Sequence, residues 1–235
     1  MLKEISLPQK VSIKDLKNNS FQAIIEPFYP GYGVTIGNSL RRVLLSSLEG
    51  AAVTSFKINN TQHEFDTIEG VKEDVVEIML NLKGLRLKVF SENPVKLKLE
   101  VKGEKVVKAR DIKKNSDVEV VNKDLIIATI TDKSVNFSME IMVEKGLGYE
   151  VTEQKDNKNL EIGRITIDSS FSPVLNVGYE IQNVRVGKMT NYEKLILNIT
   201  TDGTINGEEA INKAASILKD HFNLLVKEDS KKKKK

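Results

Sequence analysis

Two histidines, His63 and His221, are the only imidazoles in this chain, and it contains no cysteine. A zinc site of the H-E-x-x-H kind needs two histidines one helical turn apart, and a nucleophilic triad needs an imidazole within reach of a serine. His63 lies in the turn-like stretch HEFD and His221 near the end of a helical stripe, so neither constellation can be assembled. His63-Glu64 reads as a structural turn pair. Carboxylates are numerous, yet they alternate with lysines in the pattern of a solvated surface. No Gly-rich loop ends in Lys-Ser or Lys-Thr, and Gly31, Gly33 and Gly37 lack the spacing and the βαβ surroundings of a dinucleotide fingerprint. These absences argue against an active site, a metal or a cofactor of the chain's own. What remains is the chemistry of binding.

Arg42 and Leu45 are the best placed for that chemistry. They fall in GYGVTIGNSLRRVLLSSLEG, residues 31–50, where Thr35 can cap a helix whose one face carries Ile36, Leu40, Val43, Leu44 and Ser47, with Gly50 as its stop. Asn38, Arg42, Leu45 and Glu49 recur on the other face, setting an exposed leucine beside an arginine as on a docking surface. The plainer alternative is a solvated Arg41-Arg42 pair with Leu45 touching core. Gly37 costs about 1 kcal/mol relative to alanine inside a helix, which points to another element, a partner helix first of all, approaching there.

The rest of the chain must hold that helix. Val11, Ile13, Phe21, Ala23 and Ile25 suggest two strands around the turn at Lys17 to Ser20, and residues 52–58 read as a third strand. A second helix is expected over Val71 to Leu82, with Glu73 and Asp74 in its first turn, Lys83 in its last and Gly84 ending it. From Leu85 to Val143 the apolar period becomes two, the mark of half-buried antiparallel strands. Tyr149 to Leu160 reads as a mobile solvated loop. Strands resume at 162–167, 177–186 and 195–200, with Val174 exposed in the bend SSFSPV. Asn206 can cap a last helix with Glu209 reaching back to it, and Ile211, Ala214, Leu218, His221, Phe222 and Leu225 form its apolar stripe. Small Ala214 and Ala215 at the seam permit close approach to the first helix, within one chain or between two.

At 235 residues and 40% hydrophobic, the chain can bury one large core or two modest ones. Its formal charge of +3 includes five positives from Lys231 to Lys235, so the other 230 residues sum to −2. A nucleic-acid surface spread over the folded body is therefore not expected, and the lysine run reads as a disordered tail. A nucleic-acid-binding module acting through that tail is the competing reading. The start MLKEISLPQK has no signal-peptide run and no stretch approaches the ~20 apolar residues of a membrane span, so a cytoplasmic protein is expected.

Four long motifs, in order, resemble one family. GYGVTIGNSLRRVLLSSLEG, HEFDTIEGVKEDVVEIMLNLKGL, IGRITIDSSFSPV and VRVGKMTNYEKLILNITTDGTINGEEAINKAASIL are similar to the N-terminal domain of the alpha subunit of bacterial-type RNA polymerase, over about residues 8–226. The resemblance implies an α+β fold: a dimerisation subdomain of antiparallel sheet and two packed helices from residues 1–49 and 168–230, and a mostly β insert subdomain from 50–167. It implies a homodimer pairing first and last helices across a two-fold axis, through Ile36, Leu40, Leu44, Ile211, Ala214, Leu218 and Phe222. Such a pair displays every outward surface twice, so one copy can hold the beta subunit and the other beta-prime.

Carried over by motif, Arg42, Leu45, Lys83, Val174 and Lys194 are the implied contacts with those larger subunits. Arg42 suits the role because a planar guanidinium bonds two acceptors while its stem packs beside Leu45. The resemblance further implies no cofactor, no catalytic residue, no membrane, and DNA met only through the assembled polymerase, nucleoid-associated in the cytoplasm. Glu49, Gly207 and Asn191 depart from the residues usual at those places. The family also continues into a small DNA-binding helical domain after a linker, where this chain has KEDSKKKKK.

Overall fold

The computed structural model of the chain describes residues 5–59, 61–155 and 161–226. In chain order the elements are β1 (Lys10–Asp15), β2 (Ser20–Phe28), α1 (Tyr32–Ser46), β3 (Glu49–Ile58), α2 (Val75–Lys83), β4 (Leu87–Val89), β5 (Val95–Lys102), β6 (Lys105–Lys108) and β7 (Val118–Val120). There follow β8 (Ile126–Ile130), β9 (Asn136–Leu147), β10 (Tyr149–Glu150), β11 (Ile165–Thr166), β12 (Ser169–Ser170), β13 (Val174–Val186), β14 (Met189–Thr201) and α3 (Gly207–Asn223). The class is α+β. The chain divides into two units: the described residues of Met1–Leu48, Val174–Thr201 and Ile205–Lys235 form one, and Glu49–Pro173 with Asp202–Thr204 the other.

In the discontinuous unit, an antiparallel sheet runs β1-β2-β14-β13. The β1 and β2 strands turn at Lys17, Asn18 and Asn19, all at positive φ. Asparagine tolerates that conformation because its short polar side chain can bond locally. The β13 and β14 strands form a long hairpin joined through Gly187 at φ 59°, so Lys194 lies inside a strand, opposite Gln182, rather than ahead of one. Both α1 and α3 pack on this sheet and on each other, and Leu40, Leu44, Leu197, Ala210, Ile211 and Ala214 close the core.

The β-rich unit is built on the antiparallel sheet β11-β3-β9-β5 and the ribbons β4-β7, β6-β8 and β10-β12. Strand β5 alternates buried and exposed at every residue, as period-two patterning requires. Helix α2 begins at Val75, four residues later than its apolar spacing suggests. Asp74 is its N-cap, accepting from the Glu77 N–H at 2.6 Å, while Glu73 accepts from the N–H and hydroxyl of Thr129 at 2.6 and 2.9 Å. Val71 instead bridges to Ile130. The stretch read as a loop from Tyr149 is also more structured than its composition implies. β10 pairs with β12, a 3-10 turn spans Thr152–Gln154, and Lys155 donates to the Ile167 carbonyl and the Ser169 hydroxyl at 2.5 and 2.6 Å. Residues 156–160 lie outside the described residues, as does the lysine run at 231–235. Among the described residues no helix is long and apolar enough to cross a membrane.

Candidate functional site

Helix α1 starts at Tyr32, with Gly31 at φ 87° as its N-cap and no cap supplied by its own side chains. Thr35, expected to cap it, lies inside the first turn and donates to the Gly31 carbonyl at 3.2 Å. The cap comes instead from β14: Glu193 accepts the N–H of Gly31 and that of Gly33, each at 2.8 Å, one through each carboxylate oxygen. An anion there satisfies two of the four free helix donors and meets the positive end of the helix dipole.

Gly33 and Gly37 bring the helix down onto the sheet. A Cβ at Gly33 would stand 2.8 Å from Glu193 Oε2, and one at Gly37 would stand 2.8 Å from Leu195 Cδ1 and 3.1 Å from the Tyr179 ring. The element that needs Gly37 small is therefore the chain's own hairpin, not a partner helix. Tyr29 packs edge-on against Tyr32 and Tyr192 beside this junction. Neither Glu193 nor this aromatic group carries a local signal in the sequence, since each is defined by strand pairing.

The helix faces then sort the predicted residues. Leu40 and Leu44 are buried with Ile211 and Ala214 in the core of a single chain, and Ile36 is half-buried against it. Arg41 and Arg42 are exposed, and the Arg42 guanidinium has no ion pair among the described residues. Leu45 is half-buried and packs on the same core, so the exposed leucine expected beside Arg42 is in fact partly enclosed. Val174, expected to be exposed in its bend, is only 3% exposed. It opens β13 opposite Thr201 and points into that core. A bend flanked by Pro173 looks solvated in sequence, but strand pairing begins one residue after the proline.

Lys194 is half-buried in β14 of the same unit. Lys83 belongs to the other unit, where it ends α2 and pairs with Asp168 at 3.1 Å. Asp168 also accepts from the Thr152 N–H and hydroxyl at 2.9 and 2.8 Å and from the Tyr149 hydroxyl at 3.1 Å. Those bonds, the two from Thr152 foremost and then that from Lys83, hold the carboxyl well below the usual carboxylate range.

On α3, Asn206 accepts from the Glu209 N–H at 2.8 Å as expected, but the Glu209 carboxylate turns to Lys213 at 2.8 Å instead of reaching back. The apolar stripe divides along its length. Its first half is core, Leu218 is half-buried, and Phe222, Leu224 and Leu225 are 56%, 84% and 78% exposed. Leu224 and Val226 also add exposed apolar surface just past the helix end, outside the heptad-like spacing that marks the stripe. His63 bonds Asp66 at 3.1 Å, three residues on, and His221 is exposed on α3 in the other unit. Among the described residues no group of three or more His, Asp or Glu is placed to hold a metal ion.

Residues 56–172, within the β-rich unit, match the RNA polymerase Rpb3/RpoA insert domain. The architecture is thus that of a polymerase subunit carrying this insert between two halves of a second unit. The chain is 47% identical over 224 residues to the DNA-directed RNA polymerase subunit alpha of Oceanobacillus iheyensis, covering 95% of this chain and 71% of that protein. It is 46% identical over 219 residues to the same subunit of Alkaliphilus oremlandii, covering 92% and 69% respectively. The chain belongs to the DNA-directed RNA polymerase alpha subunit family, and its place is in transcription.

Proposed function

We propose that two copies of this chain pair through the apolar end of α3, and that the pair is the platform on which the beta and beta-prime subunits of RNA polymerase assemble. The observation that carries this reading is the unburied run of Phe222, Leu224 and Leu225 on the discontinuous unit. Large apolar side chains clustered at one helix end cost solvation free energy of about 25 cal/mol per Å2 until something covers them. A second copy supplies the same apolar surface, and a two-fold arrangement is closed. Ile36, Leu218 and Phe222 are reachable for such a contact, whereas Leu40, Leu44, Ile211 and Ala214 support it from inside the core. The discontinuous unit is then the dimerisation subdomain and the β-rich unit the insert.

Arg42, with Leu45 beneath it, is the principal side-chain anchor for a larger subunit, joined by Lys194 on the same unit and Lys83 on the insert. Its unpaired guanidinium can desolvate against a partner carboxylate without first breaking an ion pair of its own. The chain contributes position rather than a reacting group, and DNA is met through the assembled enzyme. Light scattering on the purified chain tests the first step: a mass of twice 26.3 kDa is expected at micromolar concentration. A single-chain mass that persists on mixing with purified beta subunit overturns the reading.

A further inference from the structure

The β-rich unit holds a cavity of about 420 Å3 that the assembly role does not use. It lies between β5, the segment after the 3-10 turn at Ala109–Asp111, and β7. Its floor is apolar, because Leu97, Ile112 and Val118 are buried, and the Phe90 ring stands in its wall 64% exposed. That volume is within the ~300–1,000 Å3 of sites that enclose a ligand or an anchoring side chain. An exposed aromatic ring beside a buried apolar floor is where a partner's apolar group would be desolvated.

The charge around the cavity is one-sided. Arg110, Lys113, Lys114 and Lys123 line it against a single acid, Glu119, which stands opposite Lys88 in the β4-β7 ribbon. Asp124 engages Arg110 at 3.5 Å and Glu100 engages Lys113 at 2.6 Å. Lys114 and Lys123 are exposed and have no ion pair among the described residues. Two unneutralised ammonium groups, on two different loops over an apolar floor, select an occupant that is apolar at its centre and anionic on either side. Nucleic acid fits poorly. Phosphate-driven affinity needs many cations in a row, and the floor offers a backbone phosphate no donor.

We propose that this cavity is a docking site for a short acidic segment of a partner protein. One bulky apolar side chain of the segment sits on Leu97, Ile112 and Val118 beside Phe90, and the carboxylates flanking it are held by Lys114 and Lys123. A peptide satisfies both lysines because its carboxylates are spaced along a chain on either side of the apolar side chain.

The probe is the fluorescein-labelled peptide EEDLFDEE, titrated with the full 235-residue chain and followed by fluorescence anisotropy. Saturable binding is expected, weakened about tenfold or more by Lys114→Glu with Lys123→Glu, and likewise by Ser116→Trp, which fills the cavity from its edge. Thermal melts keep the variants comparable, since all three positions are exposed. Amide shifts in the wild-type chain on peptide addition are expected to cluster at Phe90 and at residues 112–120. No saturable binding up to about 1 mM overturns the proposal. So does equal affinity for a peptide with Ser-Ser in place of Leu-Phe, or decanoate filling the cavity while the peptide stays free.

Discussion

Glu193 holds Gly31 across 162 residues of sequence: its carboxylate in β14 accepts the N–H that opens α1, at 2.8 Å, and takes the Gly33 N–H with its other oxygen. The helix that bears Arg42 is therefore fixed to the β13-β14 hairpin at its first turn, by charge as well as by packing. Glu193→Ala leaves two helix donors without their acceptor and is expected to cost about 1–2 kcal/mol. Glu193→Gln keeps one acceptor oxygen and loses the charge, so a smaller loss is expected. Urea denaturation of the three proteins reads the order directly, and equal midpoints would remove the cap from the account.

That bond also marks where reading the chain as a string stops. The α1 apolar spacing and the alternation of β5 repeat every three to four and every two residues, and the Asn206 cap spans three, so all are visible in a single sequence. Glu193, the Tyr29-Tyr32-Tyr192 group and the burial of Val174 depend on which strands pair, which no local period encodes. The late start of α2 has the same origin. Val71 to Asp74 carry helical spacing, but a bridge from Val71 to Ile130 and the bonds of Glu73 to Thr129 claim that segment first. The split of the α3 stripe is likewise invisible in its spacing: Ile211 and Ala214 pack into the core while Phe222 and Leu225, in the same register, stay exposed.

Phe222 and Leu218 separate pairing from folding. Leu218 is half-buried against the core of its own unit, so Leu218→Asp weakens the fold and the pair together. Phe222 is mostly exposed, and Phe222→Asp places the new charge where only a second copy would cover it. The expected outcome is a folded Phe222→Asp chain, with an unchanged circular dichroism spectrum, sedimenting at half the wild-type mass. For Leu218→Asp a lower melting temperature accompanies the same dissociation. A Phe222→Asp variant that stays paired moves the interface away from the end of α3.

Arg42 sits on the helix face turned away from Leu40 and Leu44, so truncating it disturbs neither the core nor the cap. Arg42→Ala is expected to leave mass and melting temperature unchanged while weakening capture of the beta subunit. The loss expected is about 2 kcal/mol or more, roughly thirtyfold in affinity, if the guanidinium is a buried anchor in the complex. Arg42→Lys keeps the charge but loses the planar two-donor fork, and should recover only part of it. Beta subunit co-purifying with Arg42→Ala at wild-type yield would assign the contact elsewhere.

Lys83 and Asp168 give a prediction in pH. The folded Asp168 carboxyl titrates below its ordinary value of 3.8, so its bonds stabilise the chain fully above that value. The contribution declines as pH falls below 3.8 toward the folded value, because the proton that binds the unfolded chain first favours unfolding. Asp168→Asn removes the charge that Thr152, Lys83 and Tyr149 converge on, and a loss of about 1 kcal/mol is expected at pH 7. The gap between wild type and Asp168→Asn in urea midpoint should hold steady from pH 7 to about pH 5 and narrow steadily below 3.8. Lys83→Met should close part of the same gap without abolishing it, since the two Thr152 bonds remain and are the stronger cause of the depressed titration. A gap that widens with acid would mean that the charged carboxylate opposes the fold, and would overturn the stabilising role given to its bonds with Thr152, Lys83 and Tyr149.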